Sequence, residues 1–261
     1  MHKCLHGGLI TAACALAAAP AQAQWQVGAG PAVRHAVHAE YDAAGRRLVR
    51  ESGWLPGVAF QAAYTAGPLT WRGGVDWYRG DIGYDGRTQA GVPATSTTAT
   101  TLAAVNAGAA YALAGGVAIV ASVEADRWRR DIAGTATAAG LQETYRSTRL
   151  YAGAAQTWRP ALGAVTAEAS LFRSTPEHMR VAFSGQFDPV QFDGGRARGA
   201  RLGLALRPAR VPWLELRTRL DHARVPRSGS VPLTADGHYR GMVTQPEHTR
   251  QTLTFALSTM Y

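Results

Sequence analysis

The sequence predicts an all-β chain, a ten-stranded antiparallel transmembrane β-barrel. Three observations lead there. Ten segments alternate apolar and polar residues with period 2, the mark of a strand with one greasy face and one polar face. The links between them alternate between short and long, as in a membrane barrel with turns at one end and loops at the other. Tryptophans and tyrosines collect at the strand ends beside the short links, where an interfacial girdle belongs.

Taken in order, the chain opens with "MHKCLHGGLITAACALAAAPAQAQ". Lys3 precedes an apolar core that closes on Ala21-Gln22-Ala23, the small-x-small form of a cleaved secretory leader. The expectation is a signal peptide over 1–23 and one barrel domain over 24–261. The apolar core is too short to span a bilayer, and no later apolar run comes closer. Both cysteines, Cys4 and Cys14, lie in the leader, which excludes disulfides, thiolate metal sites and a cysteine nucleophile from the rest. Thr11 stands where a lipoprotein leader acylated at Cys14 would carry an aliphatic residue. The net charge is +9, and every basic residue after Lys3 is arginine. For an exported chain this points to anionic surfaces or internal carboxylates rather than to nucleic acid.

The first strand, Trp25–Tyr41, carries Trp25 at its start and Arg34 on the opposite parity. In the second, Leu48–Tyr64, Val58, Phe60 and Tyr64 face one way; in the third, Leu69–Gly80, Trp71 and Val75 do so, against Arg72 and Asp76. The fourth, Thr98–Tyr111, begins in a threonine run that favours extended chain. The fifth, Val117–Arg130, turns Glu124 and Asp126 inward, and the sixth, Gln142–Trp158, sets Leu150 and Trp158 on the apolar face. The seventh and eighth, Ala164–Arg173 and Ala197–Arg207, place Glu168 and Arg201 on the polar face. The ninth, Trp213–Ala223, holds "LELRTRL": leucines outward, Glu215, Arg217 and Arg219 inward, with Asp221 next on that face. Trp213 breaks its parity and is assigned to the turn. The tenth, Thr249–Tyr261, alternates Leu253, Phe255, Leu257 and Tyr261 with threonine, alanine and serine, and closes onto the first strand so that no edge is left in hydrocarbon.

Short links read "TAGP", "AGG", "RPALG" and "PARVP". On the other side lie "DAAGRR", "DIGYDGRTQAGVPATSTTAT", "DIAGTATAAG", "STPEHMRVAFSGQFDPVQFDGG" and "RVPRSGSVPLTADGHYRGMVTQPEH". Pro31 and Pro56 fall inside strands, where each removes a ladder hydrogen bond; Gly53 and Gly57 flank the second, so a bulge or an early strand end is expected there. Phe183, Phe187 and Phe192 in the fourth long link are expected to fold back over the barrel mouth.

The inward parity yields a lumenal charge set: Arg34, Arg72, Asp76, Glu124, Asp126, Glu168, Arg201, Glu215, Arg217, Arg219 and Asp221. Both signs are present, as a paired network that plugs a narrow lumen requires.

An alternating strand ending on a C-terminal aromatic resembles the terminal signature of Gram-negative outer-membrane barrels; Tyr261 replaces their commoner phenylalanine. The resemblance implies an outer-membrane location, contact with lipid and lipopolysaccharide, and assembly machinery reading the last strand. The strand count also resembles omptins, outer-membrane proteases with paired aspartates and an Asp–His couple at the outer rim. Asp76 and Asp81 in the third strand and Asp236 and His238 in "DGHY" are the candidates for such a site. Gly74 stands where the family's first aspartate pair needs a carboxylate, and "DGHY" lies one hairpin later than the family's couple. A lipid A deacylase needs a His–Ser couple on one inward face; His222 has outward parity and no serine nearby on the inward one. No zincin, P-loop or GxSxG pattern occurs, and the histidines lack ligand spacing, so no metal or cofactor is expected. The expected role is a non-catalytic surface scaffold with a charge-plugged lumen. An omptin-like rim hydrolase and a narrow solute channel are the alternatives.

Overall fold

The computed structural model describes residues 23–87, 91–136 and 139–261. The leader over 1–23 therefore lies, but for Ala23, outside the described residues. Among the described residues twelve strands form: β1 (Gln24–Tyr41), β2 (Arg47–Ala66), β3 (Leu69–Arg87), β4 (Pro93–Ala112), β5 (Val117–Ile132), β6 (Leu141–Trp158), β7 (Gly163–Ala182), β8 (Val190–Pro208), β9 (Leu214–Val225), β10 (Ser230–Ala235), β11 (His238–Thr244) and β12 (Glu247–Met260). Ten close into an antiparallel barrel in the order β1-β12-β9-β8-β7-β6-β5-β4-β3-β2, and β10 pairs with β11 as a separate hairpin. Closure is by β12 against β1, from Gly28↔Met260 to Tyr41↔Glu247. Reciprocal hydrogen bonds between Val27 and Tyr261, at 2.9 and 2.8 Å, extend the seam by one more residue.

The wall is greasy outside over one band. Trp25, Trp71, Tyr111, Trp158 and Tyr261 are exposed at the short-turn end, and Trp54 and Trp77 are exposed higher up. Between them lie Val58, Phe60, Val75, Val105, Ile119, Leu150, Leu171, Leu202, Leu204, Leu216 and Leu220, all outward and exposed. From Tyr64 to Trp54 is about ten residues, or about 33 Å of strand. At a tilt of about 40° this is about 25 Å of height, the thickness of the apolar belt of a membrane barrel. Trp213 sits in the turn before β9, its carbonyl accepting from the Met260 N–H at 2.6 Å.

Two expectations are corrected. The long links are mostly strand: β3 runs to Arg87 rather than Gly80, β4 starts at Pro93, β7 runs to Ala182 and β8 starts at Val190. β2, β4 and β7 reach 20 residues, about twice what a bilayer crossing needs. Above the apolar band the outward residues turn polar, so these extensions carry no lipid-facing alternation to read. Nor do the prolines end or bulge their strands. Pro31 pairs with Val58 and Pro56 with Val33 in an unbroken β1–β2 ladder. On their other sides the ladders merely lapse, from Ala29↔Thr259 to Ala32↔Ala256 and from Ser52↔Gly83 to Gly57↔Tyr78, with the register kept. Gly57 permits this, because a Cβ there would collide with the Trp77 carbonyl.

Candidate functional site

The lumen is the protein's core, and its charged side chains sort into three layers. At the long-loop end Arg130, buried at 1% side-chain exposure, is held by three carboxylates. Its Nη1 reaches Glu143 at 2.5 Å and Glu40 at 3.3 Å, and its Nε reaches Glu51 at 2.8 Å. Tyr145 donates its hydroxyl to Glu143 at 2.9 Å, and Thr98 donates to Glu51 at 2.6 Å. Beside this group Arg250 pairs with Glu177 at 2.6 Å and stacks over the rings of Trp128 and Tyr145. His38 meets Glu40 at 2.9 Å and His248 meets Glu177 at 3.1 Å, with the two imidazole centroids 5.0 Å apart. Two guanidiniums thus face four carboxylates, with two imidazoles between.

The middle layer is balanced. Arg201 binds Glu124 at 2.8 Å and Asp221 at 2.6 Å. Arg149 binds Asp126 at 3.1 Å, Arg219 binds Asp76 at 2.9 Å and Asp221 at 3.2 Å, and Arg34 lies 3.5 Å from Asp76. Arg34 and Arg201 also lie 4.1 Å over the rings of Tyr78 and Tyr151. Planar guanidiniums can pair edge-on and stack face-on at once, which suits a lumen with room for one layer of side chains. Nearest the short turns, Arg72 binds Glu168 at 3.2 Å, and Glu215 is shared by Arg207 at 2.9 Å and Arg217 at 3.5 Å. Here the lumen widens into a cavity of about 570 Å³.

All eleven residues read as lumenal from parity lie in the middle layer or nearest the short turns. The whole layer at the long-loop end was not among them, nor were Arg149 and Arg207. Parity could have found them: His38 and Glu40 continue the Arg34 face of β1, and Arg130 continues the Glu124 and Asp126 face of β5. The four candidates for a rim hydrolase are not assembled. Asp76 is buried at mid-lumen between Arg34 and Arg219, while Asp81 is exposed on the outside of the wall. Asp236 and Gly237, both at positive φ, form the two-residue turn of the β10–β11 hairpin, with Ala235 opposite His238. Asp-Gly is favoured in such turns because both central residues need left-handed backbone, which accounts for the Asp-x-His spacing without chemistry.

That hairpin caps the long-loop end. Val231 and Val243 pack on a buried cluster of Trp128, Tyr145, Met179, Val181, Val190 and Phe192. Phe192 is an inward residue of β8 rather than of a loop, and Phe183 packs against the same cluster with its ring edge-on to Phe187. Asp188 ties the hairpin down: its N–H donates to the Thr234 carbonyl at 2.8 Å, and its carboxylate accepts from the Gly237 N–H at 3.0 Å. Its carboxyl is held below the ordinary value, first by the Thr234 side chain and then by Gly237. A depressed pKa contributes stability above the unfolded value, about 3.9, that is lost as pH falls through the folded one. Hydrogen-exchange protection of Val231 and Val243 should therefore fall as pH drops below the ordinary carboxylate range, and Asp188→Asn should flatten that dependence.

No family model and no curated protein matches the chain. Among solved structures, the outer membrane protease OmpT from Escherichia coli aligns with a TM-score of 0.52 at 10% identity, over 93% of this chain and 97% of that one. The translocator domain of the autotransporter NalP from Neisseria meningitidis gives 0.47 at 11% identity, over 90% of this chain and 88% of that one. At such identity the OmpT likeness is one of fold alone, and it agrees with the closed ten-strand topology and the apolar band: the chain has the architecture of a bacterial outer-membrane β-barrel.

Proposed function

We propose that the protein is a non-catalytic outer-membrane scaffold. Its short turns face the periplasm, and its long strands lift a sealed mouth and a capping hairpin above the outer leaflet. The observation that carries this reading is the Arg130 layer, which fills the lumen at that end with mutually paired side chains, while the candidate acids and His238 stay apart. A scaffold needs the barrel closed and the surface held, and both follow from that layer.

The outer wall supports lipopolysaccharide as the partner. Just above the apolar band, Arg127 of β5 stands opposite Arg146 of β6, and Arg173, Arg198 and Arg224 stand in a row across β7, β8 and β9. All five are exposed. Like charges directly opposite on neighbouring strands destabilise a sheet. Among the described residues Arg224 has a carboxylate partner, Glu247 at 2.7 Å, and the other four have none. Phosphates of the outer leaflet would relieve that repulsion through charge-assisted guanidinium contacts. Lipopolysaccharide should raise the melting temperature of the folded barrel by several degrees. The quadruple change Arg127→Gln, Arg146→Gln, Arg173→Gln, Arg198→Gln should abolish the rise; an equal rise in the variant would remove this partner. Peptide cleavage by the pure barrel that is lost on His238→Ala would overturn the non-catalytic reading.

A further inference from the structure

The charge along the lumen is uneven, and the unevenness falls on a cavity. The middle layer has four arginines (Arg34, Arg149, Arg201, Arg219) for four carboxylates (Asp76, Glu124, Asp126, Asp221). Of that layer Asp76, Arg201 and Arg219 form the cavity's inner end, and toward the short turns Arg72, Arg159, Arg207 and Arg217 line it against two further carboxylates, Glu168 and Glu215. Glu168 is engaged by Arg72, while Glu215 is divided between Arg207, Arg217 and the Gln61 amide at 2.9 Å. Arg217 touches Glu215 through Nε at 3.5 Å, and Arg159 has no carboxylate partner among the described residues. Besides Arg159, the four turns at this end add Arg210 and no acid.

We infer that this cavity binds a small, multiply charged phosphate-bearing anion entering from the short-turn end. The two guanidiniums in excess, Arg217 on the wall and Arg159 exposed at the turn, set a positive field at the mouth of the cavity, which draws a multiply charged anion. The volume, about 570 Å³, falls within the usual range for small-molecule sites, about 300–1,000 Å³. Forked donors favour the tetrahedral, many-oxygen phosphate over a single carboxylate. Neutral donors stand in reserve around the wall at Asn106, Ser122 and Thr70. The balanced middle layer closes the cavity above, so the site is a dead-end pocket rather than a passage.

The test is calorimetric titration of pyrophosphate into the purified, folded, full-length mature barrel in zwitterionic detergent free of lipopolysaccharide. Saturable binding of one pyrophosphate per barrel is expected, weakened at least tenfold in Arg217→Gln and several-fold in Arg159→Gln. Arg159 lies in a turn outside the ion-pair network, so its variant keeps the test open if Arg217→Gln fails to fold. Arg129→Gln with Arg180→Gln on the outer wall should leave binding unchanged. Absence of saturable binding, or equal weakening by the outer-wall changes, overturns the site. Citrate binding as tightly as pyrophosphate overturns the preference for phosphate.

Discussion

Replacing Arg130 with methionine is expected to destabilise the folded barrel by about 3–5 kcal/mol, read as a shift of its urea midpoint in lipid vesicles. Arg130 is 1% exposed, and the change leaves Glu40, Glu51 and Glu143 facing one another without the cation that joins them. Removing one partner of a buried ion pair strands the other charge, and here three are stranded at once. The surface pair Arg46–Asp42, with Arg46 83% exposed, offers the contrast. Arg46→Ala should shift the midpoint far less, because solvent screens that interaction. Equal effects would mean that the Arg130 layer is solvated and the mouth is not sealed.

An arginine placed on the lipid face is expected to act nearly as strongly. Leu202 of β8 is exposed on the outside of the wall, paired with Ala169 and Leu220 near the middle of the apolar band. Leu202→Arg should lower stability by about 2–4 kcal/mol, the cost of a cation near the bilayer midplane. Gln251 of β12 faces the same way but lies two residues above Leu253, toward the polar end. Gln251→Arg should cost about 1 kcal/mol or less, since the penalty falls off toward the interface. A soluble β-sandwich would show no such dependence on height. The pair of substitutions therefore separates lipid exposure from general sensitivity to charge.

The parts of the fold legible in the sequence are those that meet lipid. Leu214, Leu216 and Leu220 against Glu215, Arg217 and Arg219 mark one strand without ambiguity, and the terminal Leu253, Phe255 and Leu257 mark the closing one. What stayed hidden lies above the bilayer. There Arg127, Arg129, Thr144 and Arg180 face water on the outside while Arg130, Glu143 and Tyr145 face inward, so both sides of the strand are polar and period-2 hydropathy vanishes. For that reason the upper parts of β3, β4, β7 and β8 read as loops, while the inward charges at the tops of β1, β2, β5 and β6 went uncounted although they continue the polar parity. The β10–β11 hairpin was hidden differently. Its "DGHY" carries the turn signal of a hairpin, but Asp and His two apart also invite a chemical reading, and only the positive φ values of Asp236 and Gly237 decide between them.

The proline positions teach the converse. Pro31 and Pro56 each forgo a donor in a wall that has no edge, yet neither shifts the register, because each faces its missing bond toward one neighbour and keeps full pairing with the other. The adjoining Gly30 and Gly57 let the neighbouring backbone come close where the ladder lapses; a Cβ on Gly30 would overlap the Leu257 carbonyl. Sequence rules for proline describe the lost bond correctly, and the closed ring of strands supplies the restraint that keeps the loss local.

The most direct test of a lumen sealed at its outer end is conductance of the purified barrel inserted in a planar bilayer in potassium chloride. A barrel closed by the Arg130 layer and the balanced network beneath it holds the current at the baseline of the bare bilayer. Stable, reproducible open steps from the unaltered protein would contradict the account.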